Sequence, residues 1–346
     1  MGSKTRIALL ILLTVAAITL YLGWSRSPSS DVLLSDLREN TTIHYGIAQD
    51  AASNLLALNM RLTPADYQTP ARLSLKVDHY LAQAQREALL SAQTVVALPE
   101  HIGTGLFAVD EKPEVQQART LRDAMQWMGL SYPFSYVWAR INNHSEDPRT
   151  EAVLRIKSSQ MAEDYQRVFS GLAKKYNVVL VAGSIVLPEP YIKHGRIKTS
   201  QGPLQQMSAV FDADGQLLSP LIYKNQLSRY ERRYSQSPKG LHHASLNQVN
   251  TSAGVIRVYL GCDVFSHSVP NDGRVVIIGA PAHPAEDCRP INQLVPRGSL
   301  RHLPVETLGL PWNLIGSPKK PEEKHASPTS QLVNIWQPAA TLSRGH

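Results

Sequence analysis

From about residue 54 onward, short unbroken apolar runs alternate with stretches whose apolar positions recur at helical spacing. Asn54–Leu62 (NLLALNMRL) reads as a strand. Over Arg72–Leu90 the residues Leu73, Val77, Leu81, Ala84 and Ala88 fall three or four apart, so a helix there lays one apolar stripe on a sheet. Thr94–Leu98 (TVVAL) is β-branched without polar alternation, as for a strand buried on both faces. Helices are predicted near Ala118–Met128 and over Thr150–Tyr176, followed by a second fully apolar strand over Val178–Leu187. The pattern then changes to a hairpin made of Met207–Phe211, the turn Asp212-Ala213-Asp214-Gly215 and Gln216–Tyr223. Its Asp-Gly pair supplies the positive φ that such turns need. Gly254–Leu260 and Arg274–Gly279 are two further apolar strands. Helix–strand alternation with a hairpin mixed in predicts an α/β layered domain built on a mixed sheet.

Two segments stand outside this pattern. Ile7 to Trp24 carries no charge and shows no polar face, and its 18 residues reach roughly 27 Å as a helix, the thickness of a bilayer core. Lys4 and Arg6 precede it, and Tyr21 and Trp24 sit where an interfacial aromatic belt forms. The exit, Leu20-Tyr21-Leu22-Gly23-Trp24-Ser25-Arg26, is a poor cleavage site, which favours a retained signal anchor over a cleaved signal peptide. The flanking charges favour an N-terminus inside and a body outside the cytoplasm, periplasmic or extracellular. Ser25 to Ser30 reads as a linker. At the other end, residues 284–346 hold 9 of the 23 prolines and no convincing strand. The expected division is therefore 1–30 anchor and linker, 31–53 lead-in, 54–283 catalytic-type domain, and 284–346 a proline-rich, tail-like segment.

Composition narrows the classes. With 346 residues, 43% hydrophobic and 18% charged, the chain has material for a sizeable core and is neither disordered nor collagenous. Two cysteines exclude a disulfide-dense miniprotein. The net charge of +7 invites a nucleic-acid partner, but the densest basic patch (Lys224, Arg229, Arg232, Arg233 and Lys239 around Glu231) is small. No nucleic-acid module surrounds it, so no nucleic-acid partner is expected.

The candidate chemistry lies just past the C-terminal ends of three predicted strands, where open α/β sheets place their sites. Glu100 ends VVALPE, Lys224 ends LIYK, and Cys262 follows GVIRVYLG, with Asp263 after it. In this order, with a strand ending Leu-Pro-Glu, a hairpin AVFDADGQLLSPLIYKNQL leading to the Lys and a strand leading to Gly-Cys-Asp, the chain resembles the carbon–nitrogen hydrolase (nitrilase) superfamily. The likeness covers about residues 54–283. Gly103 and Gly105 suit the loop after the first Glu, and Glu231, seven residues beyond Lys224, suits the family's auxiliary second Glu. The resemblance implies a four-layer α-β-β-α sandwich behind an N-terminal transmembrane helix, and no metal or organic cofactor. It also implies a small-molecule amide or nitrile substrate and a possible homodimer. The strands that the family adds after the Arg274–Gly279 position are not evident in 284–346.

The triad also makes physical sense by itself. An amide carbon is a poor electrophile, and a free thiol is only a few per cent ionised at neutral pH. A carboxylate beside the thiol takes its proton, and an ammonium beside both steadies thiolate and oxyanion. Glu100 is then the general base, Lys224 the electrostatic clamp and Cys262 the nucleophile that forms a thioester, with Glu231 auxiliary and the Asp263 N–H a second oxyanion donor. Amide hydrolysis is expected ahead of nitrile hydrolysis. Acyl transfer by the same triad and an inactive membrane-anchored scaffold are the alternatives. Competing assignments are Glu189, also in a Leu-Pro-Glu, as the base; a Cys262–Cys288 disulfide; and a cysteine protease using His267, His242 or His243. His101, Tyr132 and Trp138 are weaker candidates for the pocket wall.

Overall fold

Side chains along the central strands point alternately to two sides, and each side fills a different core. The computed structural model describes residues 3–26, 33–48, 53–118, 120–133, 136–137, 145–239, 247–266, 274–279, 288, 302–309, 311–313 and 329–337. The larger sheet has seven strands in the order β1 (Ile43–Tyr45), β13 (Gln331–Trp336), β2 (Asn54–Asn59), β3 (Thr94–Ala97), β4 (Val179–Pro188), β7 (Leu204–Phe211), β8 (Ile222–Tyr223). β2, β3 and β4 run parallel, Leu55 opposite Val95 opposite Val179, and β7 and β8 extend the sheet antiparallel. A smaller sheet runs β12 (His302–Val305), β11 (Arg274–Ile278), β10 (Gly254–Leu260), β9 (Gln248–Thr251). β5 (Tyr191–Lys193) and β6 (Arg196–Lys198) form a separate hairpin.

Leu56, Leu58, Val96, Leu180 and Phe211 face helices. α2 (Pro70–Arg86) contributes Leu73, Val77 and Leu81 to this core, and α5 (Pro148–Tyr176) contributes Met161, Tyr165, Phe169 and Leu172. Both helices begin with Pro at the first position after a capping side chain: Thr69 accepts from the Arg72 N–H, and Asp147 from the Thr150 N–H. Two shorter helices, α3 (Pro113–Gln117) and α4 (Leu121–Ser131), pack beside them, and α4 is capped by Thr120. Leu55, Ala57, Val95, Val179 and Val210 face the other way and share a second core with Ile256, Val258, Leu260, Val276, Ile278, Leu303 and Val305 of the smaller sheet. The fold is therefore mixed α/β, and the predicted strands and helices from residue 54 to 279 lie within a few residues of their expected places, except that the hairpin strand expected over Gln216–Tyr223 shrinks to Ile222–Tyr223 with an isolated bridge between Phe211 and Leu217. On the far side of the smaller sheet, the second helical layer of the expected sandwich is not among the described residues. Only α6 (Asp263–Ser266) follows β10 there.

Two expectations need correction. Residues 284–346 are not purely tail-like, because β12 completes the smaller sheet and β13 lies between β1 and β2 in the larger one. The lead-in 31–53 supplies β1, which pairs parallel with β13. The stretch 314–328 and most of 280–301 fall outside the described residues.

At the N-terminus, α1 (Ser3–Arg26) is helical, and its segment Lys4–Ser25 has a mean hydropathy of 2.3 with none of it buried in the body. This is one helix long and apolar enough to cross a membrane.

Candidate active site

The loop after β3 carries Glu100. Pairing continues past the strand end, where the Leu98 N–H donates to the Val181 carbonyl at 3.0 Å, and β4 then bulges between Val181 and Ser184. The bulge turns the Ser184 hydroxyl toward this loop. Ser184 Oγ accepts from the His101 backbone N–H at 2.8 Å and from Gln206 Nε2 at 2.9 Å, and the same Gln206 nitrogen donates to Glu100 Oε1 at 2.8 Å. Gln206 lies on β7, and its carbonyl receives the Lys224 N–H at 2.9 Å. One hydrogen-bonded seam thus sets both the Glu100-bearing loop and the Lys224-bearing strand end.

Lys224 is the centre of the site. Its Nζ lies 2.8 Å from Glu100 Oε1, 2.8 Å from Glu231 Oε1 and 2.9 Å from Glu231 Oε2, and all three side chains are at most 5% exposed. Burial opposes the ammonium, but the Glu100 and Glu231 carboxylates outweigh it and hold the lysine pKa well above its ordinary value. Burial likewise raises Glu231, yet Lys224 and the His101 ring hold its carboxyl far below the usual carboxylate range. His101 Nε2 lies 3.1 Å from Glu231 Oε1 and its Nδ1 lies 3.1 Å from Thr104 Oγ1, so both ring nitrogens are engaged. Because an ionised carboxylate only accepts, Nε2 is the donor in its contact with Glu231. The His101 backbone stands at φ +59, a strained conformation for a residue with a Cβ, fixed by the Ser184 bond and both ring contacts. Glu231 is steadied further by the Ser228 N–H at 2.7 Å.

Two glycines let the ends of the smaller sheet reach this cluster. Gly261 has φ +53, and a Cβ there would stand 2.8 Å from Lys224 Cε and Nζ. Gly279 has φ +69, and a Cβ would meet Glu100 Oε2 at 2.1 Å. The residue after Gly261 is Cys262, at the start of the turn into α6. The Asp263 carboxylate braces this turn to the lysine loop, accepting the Asn225 N–H at 2.9 Å and the Gln226 N–H at 2.6 Å. Asp263 thus acts through its side chain, a role that its position after the cysteine does not announce.

Cys262 is joined to Cys288 by a disulfide, the competing assignment weighed above. In this oxidised form Sγ is no nucleophile, and a thiol appears only on reduction. Glu189, the rival base, lies elsewhere. Its Oε2 accepts from the Ser200 hydroxyl at 2.5 Å, in an open cleft lined also by Tyr191, Tyr223 and Lys239. Tyr132 donates to Glu111 Oε1 at 2.9 Å, while Trp138, His242, His243 and His267 are outside the described residues. Glu100, His101 and Glu231 offer ligand atoms within 4.8 Å of one another, a spacing that suits a cation, and the cation seated between the two carboxylates is the Lys224 ammonium.

No family model and no curated protein matches the chain. Among solved structures it is similar to a carbon–nitrogen hydrolase from Helicobacter pylori G27, at 16% identity and a TM-score of 0.39, over 65% of this chain and 59% of that one. It is also similar to a Saccharomyces cerevisiae member of branch 10 of the nitrilase superfamily, at 13% identity and a TM-score of 0.35, over 65% and 64%. A third is a mutant of the amidase from Nesterenkonia sp. AN1 carrying a Michael addition of acrylamide at its active-site cysteine, at 12% identity and a TM-score of 0.35, over 67% and 70%. The chain spans less than two thirds of the length of the first two.

Proposed function

We propose that this chain is a membrane-anchored carbon–nitrogen hydrolase of the nitrilase type, cleaving a small non-peptide amide through a thioester on Cys262. The observation that carries this reading is the buried Glu100–Lys224–Glu231 cluster, with the Gly261 turn packed against the Lys224 ammonium. A burial this complete of three charges is costly as a stabilising device, whereas an active site needs fixed charge where a thiolate and an oxyanion develop.

In the reduced chain, Glu100 takes the Cys262 proton and Sγ attacks the amide carbon. The carbonyl π pair moves onto oxygen, where Lys224 and a backbone N–H hold it. Collapse breaks the carbon–nitrogen bond, Glu100 gives its proton to the departing amine, and a thioester remains. Glu100 then deprotonates water, which splits the thioester to a carboxylic acid and returns the thiol. Glu231 and His101 touch no reacting atom in this scheme and keep Lys224 charged and in place. The body lies outside the cytoplasm, a compartment that suits the Cys262–Cys288 bridge.

That bridge also favours a second reading, a scaffold in which Cys262 is structural. The two separate in one experiment on the full chain, reduced with a dithiol and titrated with iodoacetamide at neutral pH. Under the hydrolase reading Cys262 alkylates much faster than Cys288, Glu100→Gln slows it, and ammonia is released from a panel of primary amides. Equal rates at both cysteines, unchanged by Glu100→Gln, would leave the scaffold.

A further inference from the structure

We propose that the exposed face of α4 is a second membrane contact, so that the body rests on the bilayer surface beside the exit of α1. This inference assumes that α1 is the anchor. The last turns of α1 are tied to the body. The Tyr21 hydroxyl donates to the Leu130 carbonyl, at the C-terminal end of α4. The Lys112 ammonium donates to the Trp24 carbonyl and lies 4.3 Å from the Trp24 ring centroid. The Tyr21 and Trp24 rings lie 6.0 Å apart, tilted by 38°. The end of the spanning helix is therefore held against the end of α4.

At that place the body shows apolar side chains to the outside. The inward stripe of α4 is Leu121, Ala124, Met125 and Met128, all buried. Trp127 and Leu130, three apart and so on one face, are 36% and 52% exposed. Tyr136 packs over Gly129, and its neighbour Val137 is 54% exposed. The exposed polar residues of α4, Arg122, Asp123 and Gln126, precede this pair, Asp123 and Gln126 standing one turn before Trp127 and Leu130 on the same face. A helix facing water would carry polar residues at 127 and 130. A helix lying in the interfacial plane carries a Trp and a Leu there, with the Trp at headgroup level. The occupant is a phospholipid surface, because the patch adjoins the helix that would enter the bilayer, and docking costs the body little extra orientational freedom once α1 is inserted.

The test uses the full chain in phosphatidylcholine vesicles, with photoreactive p-benzoylphenylalanine placed in turn at Leu12, Trp127, Leu130 and the exposed Tyr191 of the β5–β6 hairpin. Lipid adducts read by mass are expected at 12, 127 and 130 and not at 191. An adduct at 12 with none at 127 and 130 overturns the membrane face and leaves the anchor standing. No adduct at 12 removes the anchor and this inference with it. Crosslinked dimers from 127 in place of lipid adducts assign the patch to a second copy and also overturn it. Brominated lipid provides a readout on the natural side chain: its quenching of tryptophan fluorescence should fall in Trp127→Phe.

Discussion

Lys224 is buried, and so are the two carboxylates around it. Replacing it by Met leaves Glu100 and Glu231 facing each other without a cation, and such a loss costs about 3–5 kcal/mol. A urea midpoint lowered accordingly, and partly recovered by adding Glu231→Gln, is the expected result. Glu231 sets an acid limit. Its folded pKa lies below the ordinary 4.5, so its stabilising contribution is present above that value and is lost as pH falls below it. The melting temperature of wild type should therefore drop on acidification through that range, more steeply than that of Glu231→Gln. Lys224 works in the opposite sense: its raised pKa keeps its contribution intact below the ordinary 10.5 and surrenders it only as pH rises through the higher folded value. Gly279→Ala should abolish rapid Cys262 alkylation in the reduced chain, because its Cβ would displace Glu100 Oε2. Glu100 and Lys224 stand out as strand-end residues that the family resemblance joins, and Glu231 comes from that resemblance. His101 enters only as a weaker candidate for the pocket wall, and Ser184 and Gln206 were not legible, because nothing local in GSIVL or LQQM announces a hydroxyl or an amide that meets a loop more than 80 residues away.

Among the elements, β13 shows why some strands escaped the reading. Its run QLVNIW is interrupted by Asn334, which looks like surface but is buried, accepting from Asn54 Nδ2 at 2.6 Å, while Thr94 donates to Asn54 Oδ1 at 2.7 Å. A polar residue whose side chain is taken up by a neighbouring strand, here Asn54 of β2, cannot be told from a loop residue in the sequence alone. β12 holds Pro304, normally a mark against a strand. It is tolerated because β12 is the edge of its sheet, where a missing N–H goes unneeded. β9 and β1 are short and polar, and pairing rather than pattern makes them strands. By contrast β2, β3, β4, β10 and β11 are apolar runs that feed a core, so their place followed from composition. Ile335, 4% exposed between the sheets, should cost about 2–5 kcal/mol when truncated to Ala, read as a lower melting temperature.

For the molecule as a whole, the proposed hydrolase reading makes activity a matter of oxidation state, because Cys262 is bridged to Cys288. Cys288→Ser should yield a chain whose Cys262 alkylates without prior reduction, at the rate of reduced wild type. Failure of that variant to react would place Cys262 outside the chemistry. The position of β13 has a different consequence, in time rather than in space. It pairs with β1 and β2, whose partners across the ladder lie about 280 residues earlier, as in Trp336 opposite Asn54. During synthesis β1 and β2 emerge long before the strand that fills the gap in the larger sheet exists. Until β13 arrives, β2 keeps an open edge, and contacts of such sequence separation form slowly. The nascent chain therefore waits with a sticky edge exposed, and during that interval the edge is most prone to pair with a neighbour.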